Sequence, residues 1–389
     1  MTRLPQAKRI AIVASHAPSL LLFRRSLIET LLGHGHQVLC AAPDMDEAVA
    51  GELGRLGAET KTITLERTGL NPMRDMKSVD ELTGLFREWG PDVVMGYTPK
   101  PAIYASIAAK RAKVPRIVPM VTGLGYAFLE GGGPKATAIR QATKMLYRRA
   151  FRASDAIIFH NVDDRGVLID MGCVPPGHPT HVVRGSGVDL QHFAQQPMPP
   201  HKDGLTFLMI ARLVGYKGIA EYCEAARQLA PEAPTARWKL IGPVEYGPAG
   251  YPLSEVSKNG AVDYLGPADD VRPHLARAHV YVLPSYGEGM PRTVLEALAT
   301  GRPVITTDAR GCRETVEPGR NGLLVPPGDA NALAGAMAQM LEKPDSLAKM
   351  GQESRAIAER EFDVKQVNQA MMRALGLTET ATAAHENHA

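Results

Sequence analysis

Short apolar runs rich in β-branched residues recur along this chain, each followed by a stretch of helical character, and after a proline-rich gap the series starts again. Strands that are apolar throughout, rather than alternating, are buried on both faces. That requires a parallel sheet with helices on either side. In the first half the strands are read at Arg9–Ser15, His36–Ala41, Asp92–Met95, Arg116–Val121 and Ala156–Phe159, with the first helix at Leu20–Leu32. In the second half they are read at Leu205–Ile210, Trp238–Ile241, Val262–Leu265, Val280–Leu283 and Val304–Thr307, with a helix at Ile219–Leu229. The halves share this pattern without an internal sequence repeat. A chain of 389 residues also exceeds one ordinary core, so two α/β domains are expected.

Pro197, Pro199 and Pro200 discourage regular structure in Gln195–Gly204, which marks a linker. The expected division is a doubly wound, Rossmann-like domain over 1–190, a linker over 191–204 and a second such domain over 205–362. A C-terminal helix over 363–377 then packs back on the first domain, and a small, polar tail over 378–389 is disordered. Two doubly wound domains in tandem face each other across a cleft at the carboxyl ends of their strands, where ligands bind.

Composition narrows the function. Aromatic residues make up only 5%, too few for a base-stacking surface on single-stranded nucleic acid. Residues 1–200 carry a net charge of +6 and residues 201–389 a net −3. The mildly basic first half suits an anionic membrane surface or a phosphorylated acceptor, and no nucleic acid partner is expected. Cys40, Cys173, Cys223 and Cys312 are scattered and form no CxxC, consistent with a reducing cytoplasm and no zinc site. The apolar run Ile10–Ala14 is too short for a signal-peptide core, and Leu20–Phe23 stops at Arg24–Arg25. Any membrane contact is therefore expected to be peripheral.

The segment Leu283–Ala299, LPSYGEGMPRTVLEALA, places Glu288 in a glycine loop after a strand and Glu296 inside the next helix. The bare spacing means little, because it recurs at Glu224/Glu232 and Glu353/Glu361. Placement is what distinguishes the first pair. Pro291 reads as the first helical residue, where its missing N–H is harmless. Between the carboxylates lie free amides of a helix N-terminus, which favour phosphate. Carboxylates accept hydrogen bonds from sugar and ribose hydroxyls, so the combination suits a nucleotide sugar. Upstream, ARLVGYKG puts Arg212 at a strand end and Lys217 at the next helix start. These cations either neutralise a departing diphosphate or form an exposed basic loop. TTDARGCRE, Thr306–Glu314, brings a glycine turn to the same edge.

In order and spacing, Arg212, Lys217 and the Glu288–Glu296 segment resemble glycosyltransferase family 4, retaining enzymes of the GT-B fold. The likeness spans nearly the whole chain. FRRSLIETLLGHGHQV, KPAIYASIAAK, VTGLGYAF and FHNVDDRGVL resemble the subgroup that builds bacterial surface polysaccharides on polyprenyl-diphosphate carriers. Carried over by residue, the resemblance implies Arg212 and Lys217 on the donor diphosphate and Glu296 on the ribose hydroxyls. Glu288, with the amides of the segment Gly289, Met290, Pro291 and Arg292, would hold the donor sugar. Retention would come from front-face attack, the acceptor hydroxyl losing its proton to the leaving phosphate, so that the enzyme positions groups and stabilises charge.

The sequence departs from the family in two loops. Where many members have a sugar-contacting histidine, this chain has Thr122–Gly123–Leu124–Gly125, whose backbone amides, Gly123 among them, would take over. The first strand–helix loop, Ser15–His16–Ala17–Pro18–Ser19, lacks glycine. His16 either approaches the acceptor or is a loop histidine without a role, and Arg24 or Arg25 either reaches an acceptor phosphate or sits on a solvated helix face. Asp44–Met45–Asp46 matches the D-x-D metal string but precedes a helix start, so the capping or surface reading is preferred and no metal is expected. No G-x-G-x-x-G or P-loop is present. The basic helix Thr137–Arg152 either lies on an anionic membrane or packs on its own sheet.

The resulting expectation is a cytoplasmic glycosyltransferase, peripheral on the inner face of the membrane. It would move an N-acetylhexosamine or hexose from a UDP-sugar to a polyprenyl-diphosphate-linked saccharide without a cofactor. A soluble acceptor, or a non-catalytic nucleotide-sugar-binding protein, is the alternative.

Overall fold

The computed structural model describes residues 6–66, 72–124, 134–247 and 249–378. The expected tail, apart from Thr378, and Gly125 lie outside them. The chain forms two compact units, residues 1–186 with 366–389, and 187–365.

The first unit follows the expected alternation: β1 (Arg9–Val13), α1 (Pro18–Gly33), β2 (Gln37–Ala42), α2 (Glu47–Leu56), β3 (Glu59–Thr62), α3 (Pro72–Trp89), β4 (Val93–Gly96), α4 (Pro99–Ala112) and β5 (Arg116–Ile117). Then come β6 (Met120–Val121), α5 (Pro134–Ala153), β7 (Ile157–Phe159), α6 (Val162–Asp170) and β8 (Thr180–Val182). One sheet has the parallel order β3-β2-β1-β4-β5, and a second has β6-β7-β8. A parallel bridge between Tyr97 and Met120 links them. Alternate residues of β1 feed opposite faces: Ile10 and Ile12 join the cluster under α1, while Ala11 and Val13 join the one containing Ile103 and Ile107 of α4. The single strand expected at Arg116–Val121 is split at Val118–Pro119, because Pro119 has no N–H to give to a ladder.

The second unit runs β9 (Thr206–Ile210), α7 (Ile219–Leu229), β10 (Arg237–Ile241), α8 (Leu253–Asn259), β11 (Val262–Tyr264), α9 (Arg272–Arg277), β12 (Val280–Leu283), α10 (Arg292–Thr300), β13 (Val304–Thr307) and β14 (Gly322–Val325). Helices α11 (Ala330–Glu342) and α12 (Leu347–Ile357) follow. Its six strands are all parallel, in the order β11-β10-β9-β12-β13-β14. The order reverses at β9, whose neighbours are β10 on one side and β12 on the other.

The boundary differs from the expected linker. Residues from Gly187 onward already belong to the second unit, and Gln195–Gly204 is fastened to it. Arg302, fully buried, donates from Nη2 to Pro197 O at 2.9 Å and to Gln196 O at 3.3 Å. Arg355 Nη1 donates to Phe193 O at 3.1 Å. The prolines leave carbonyls unpaired by regular structure, and two guanidinium groups supply the missing donors. Helix α13 (Val364–Leu375) is divided at the unit boundary, its residues from Gln366 onward belonging to the first unit. Val367, Met371 and Leu375 enter the cluster under α1, and Asn368 Nδ2 donates to Ser26 Oγ at 2.9 Å and Thr30 Oγ1 at 3.0 Å.

Candidate active site

Three neighbouring strands of the second unit, β9, β12 and β13, end in loops that carry the polar residues singled out above. This is the switch point of the sheet, where open α/β sheets leave a crevice for ligands.

The three loops interlock through their backbones. Tyr286 N donates to Tyr216 O at 2.9 Å, joining the loops after β12 and β9. Glu288 N donates to Arg310 O at 2.9 Å, joining those after β12 and β13. Two glycines make this approach possible, each with a positive φ. At Gly218 (φ 76°) a Cβ would lie 2.1 Å from Pro284 O, and at Gly311 (φ 70°) 2.2 Å from Glu288 O. Neither site admits a side chain without moving the backbone.

Lys217 Nζ is ion-paired with Glu288 Oε1, and both side chains are largely buried, 17% and 15% exposed. Ser285 Oγ donates to the same carboxylate oxygen at 2.7 Å. Cys312 is close by. Burial pushes its thiol up to about 12, the Glu288 charge adds to the shift, and Lys217 opposes it. Arg212 donates to Glu245 Oε2 at 2.9 Å and to the Tyr216 hydroxyl at 3.1 Å. The Arg212–Glu245 pair is about two-fifths exposed on each side, so it contributes little and yields readily to an incoming phosphate.

Helix α10 starts one residue later than the sequence suggests. Pro291 is its N-cap, with extended backbone angles, and Arg292 is the first helical residue. The N-cap carbonyl already accepts the helix bonds, from Val294 N at 3.0 Å and Leu295 N at 3.2 Å. The helix's own ladder thus begins at Val294, after the first amides of the helix. Glu296 sits one turn in and is buried. Burial raises its carboxyl above the usual range, and Arg292, with Nε at 2.9 Å from Oε1, opposes that shift. Beneath the loop, Tyr281 donates to Thr293 Oγ1 at 2.6 Å. Burial raises its phenol, and the charges of both Glu296 and Glu288 add to the shift.

In the first unit, His16 follows β1, and its Nδ1 pairs with Asp44 Oδ2 in the loop after β2. Asp44 Oδ1 also accepts from Ala17 N at 2.6 Å. The D-x-D string therefore divides its work: Asp46 caps α2 by accepting from Val49 N at 2.8 Å, while Asp44 holds the histidine. Ser15 Oγ and Thr98 Oγ1, 2.8 Å apart, join the loops after β1 and β4. Gly123 follows β6 with φ 134°. Arg24 departs from the solvated-face reading. It is buried, with its guanidinium carbon 4.9 Å from the Tyr97 ring centre and Nη2 3.0 Å from Met120 Sδ. Its position on the inward side of α1 puts it there, while Arg25 faces outward to Glu29 and Glu52. The basic helix α5 divides likewise. Arg148 Nε donates to Gly172 O at 2.7 Å and Nη2 to Met171 O at 3.1 Å, closing the end of α6.

Ser285, Tyr216 and Glu245 were not singled out as site residues by the sequence. Ser285 carried a signal, three residues before Glu288. Glu245 carried none, since only the folded chain brings it to Arg212, and Asp44 was read only as part of the D-x-D string, not as the partner of His16. Among the described residues, no three His, Cys, Asp or Glu side chains converge as a metal site would need, and no helix is long and apolar enough to cross a membrane.

Two family models match, "Glycosyl transferase 4-like" over residues 9–161 and "Glycosyl transferases group 1" over residues 204–343. Among curated relatives, the N,N'-diacetylbacillosaminyl-diphospho-undecaprenol alpha-1,3-N-acetylgalactosaminyltransferase of Campylobacter jejuni is 28% identical over 86% of this chain and 89% of its own length. The UDP-Gal:alpha-D-GlcNAc-diphosphoundecaprenol alpha-1,3-galactosyltransferase of Escherichia coli is 26% identical over 69% of this chain and 71% of its own. Among solved structures, Anabaena HepE in complex with UDP matches with a TM-score of 0.75 at 19% identity, over 95% of this chain and 99% of that one. Sucrose-phosphate synthase from Thermosynechococcus elongatus matches with a TM-score of 0.78 at 20% identity, over 94% of this chain and 98% of that one. The fold is that of the GT-B glycosyltransferases.

Proposed function

This chain belongs to the group 1, 4-like glycosyl transferases, and we propose that it moves a hexose or N-acetylhexosamine from a UDP-sugar to a polyprenyl-diphosphate-linked saccharide with retention of configuration. The observation that carries the donor half of this reading is the interlocked edge of the second unit. There, two cations, two carboxylates and a helix N-terminus converge at the switch point. A nucleotide sugar presents the complementary groups: a diphosphate, ribose hydroxyls and sugar hydroxyls.

In this reading Arg212 and Lys217 take the diphosphate. Before the donor arrives, each is neutralised by a carboxylate, so neither charge stands uncompensated. Lys217 then shares its charge between Glu288 and the phosphate oxygens, where negative charge grows as the sugar–phosphate bond breaks. Such stabilisation is worth about 3–4 kcal/mol per donor group in a water-poor site. With that charge met by side chains and by the start of α10, the reading needs no metal. Glu296 accepts from the ribose hydroxyls, held in place by Arg292. Glu288 and the segment Gly289–Arg292 face the sugar. The acceptor hydroxyl attacks on the face the phosphate leaves, and its proton passes to the departing diphosphate. His16, held by Asp44, is the acceptor-side candidate.

The acceptor half of the reading is supported by the Campylobacter jejuni relative, whose name specifies an undecaprenol-linked acceptor and whose likeness spans most of this chain. A lipid-linked acceptor sets the reaction at the inner face of the cell membrane, with the basic face of α5 toward anionic lipid. The test is a panel of UDP-sugars incubated with the protein and polyprenyl-diphosphate-linked mono- and disaccharides. Lipid-linked product with retained anomeric configuration is expected. Transfer only to soluble sugars would overturn the acceptor, and an inverted linkage would overturn the mechanism.

A further inference from the structure

Helices α3, α4 and α5 of the first unit enclose a groove of about 380 Å3. Its walls are Met76 and Val79 of α3, Ile107 of α4, and Ala142, Met145 and Leu146 of α5. Two of these face solvent, Met76 at 52% and Met145 at 67% exposure. Covering such an apolar wall with an apolar guest removes area from water and is favourable. Methionine walls adapt to an irregular or branched apolar guest.

The rim is basic. Arg149 of α5 is exposed and has no ion-pair partner among the described residues. Arg111 of α4 stands at the groove with Nη1 2.9 Å from Asp80 Oδ1. The groove also reaches Asp75 and Tyr104, and there the buried pair Lys100–Asp75, 2.9 Å apart, leaves no net charge. An apolar channel with an uncompensated cation at its mouth complements an amphiphile with a long apolar chain and an anionic end. A volume of this size lies in the ordinary range for small-molecule sites, enough for a segment of such a chain.

We propose that this groove binds the isoprenoid chain of the polyprenyl-diphosphate acceptor, with Arg149 at its phosphate end. The proposal rests on the reading of a lipid-linked acceptor and adds the site that selects for the lipid. Two variants probe it, Ala142→Trp, which fills the groove, and Met145→Asp, a surface change that places a charge in the wall. The first measurement is equilibrium binding of a long-chain polyprenyl diphosphate, without saccharide, to the full chain in detergent. Weakening by about ten-fold is expected in either variant, equivalent to losing roughly two buried methylenes. The second measurement is transfer to one saccharide carried on a long polyprenyl diphosphate or on a short alkyl diphosphate. KM should rise about ten-fold for the long chain only, since the short acceptor has no chain to bury.

Unchanged binding and KM in both variants would overturn the groove assignment while leaving the proposed function intact. So would an equal rise for both acceptors. If the variants lose sedimentation with acceptor-free anionic vesicles but keep wild-type KM for the long-chain acceptor, the groove holds membrane lipid and the proposal fails. Wild-type protein that binds the polyprenyl diphosphate yet transfers no sugar to either acceptor would instead overturn the functional reading.

Discussion

Lys217 and Glu288, 71 residues apart in the chain, form an ion pair that ties the loop after β9 to the loop after β12. The pair is largely shielded from water, and Ser285 shares the carboxylate. Removing one partner leaves the other charge poorly compensated, so the two are expected to fail in different ways. Lys217→Ala should lower kcat by about two to three orders of magnitude, because it removes charge stabilisation at the leaving group. Glu288→Gln keeps the shape but releases Lys217, and should also raise donor KM. Steady-state UDP release measures both, and near-normal turnover in Lys217→Ala would remove this residue from the site.

Glu296 links activity and stability with opposite signs. Its folded-state pKa is raised, so the native form holds the proton more tightly than the unfolded chain does. Stability from this group is present at low pH and lost as pH rises through the folded value. At neutral pH the buried charge is therefore a burden, and Glu296→Gln should have a Tm equal to or above wild type. Transfer should nonetheless fall by about 100-fold, as for loss of a charged hydrogen-bond partner in a buried site. Thermal melts and transfer assays on the same preparation decide it; a large drop in Tm would mean that the carboxylate is structural.

His160 is buried, and desolvation together with the Arg24 charge holds its imidazole well below the usual value. The unfolded chain takes up a proton near pH 6.5 that the native state refuses. The associated stability is complete above that pH and is lost as pH falls toward the folded value. Tm should decline between pH 7 and pH 5, and His160→Gln should flatten part of that slope. A pH series of melts showing identical slopes would refute the assignment.

Transfer should survive EDTA. The reading assigns the diphosphate's charge to Arg212, Lys217 and the start of α10. Loss of activity on chelation, restored by Mn2+ or Mg2+, would show that a cation shares that work.

The cations of α5 should separate into two classes. Neutralising Lys144, Arg149 and Arg152 together should weaken sedimentation with anionic liposomes at low salt and leave Tm within a few degrees. Arg148→Ala should instead cost about 1–3 kcal/mol of stability, since it leaves the Met171 and Gly172 carbonyls without their donor. Equal liposome binding by the triple variant and wild type would argue against a membrane-facing helix.

The fold was legible wherever a strand is apolar on both faces. Val280–Leu283 and Val304–Thr307 appear at the expected residues, and each is buried along its length. Glu59–Thr62 escaped notice because it is a polar edge strand with no apolar run to betray it. Thr180–Val182 and Gly322–Val325 are also edge strands, one of them only three residues long. Periodicity cannot find strands whose pairing comes from a neighbour and not from burial.

The sequence by itself determined the alternation of strand and helix, the two-part plan and the loops at which Arg212, Lys217, Glu288 and Glu296 would lie. Those follow from local pattern: apolar runs that demand burial, and glycines and a proline that mark the turns. Only the tertiary structure decided which charges meet. It paired Lys217 with Glu288, joined His16 to Asp44, buried Arg24, and drew the proline-rich linker onto Arg302. Each of these joins residues far apart in the chain. Their contact depends on strand order and loop approach, and a side chain's own neighbours in sequence carry no record of either.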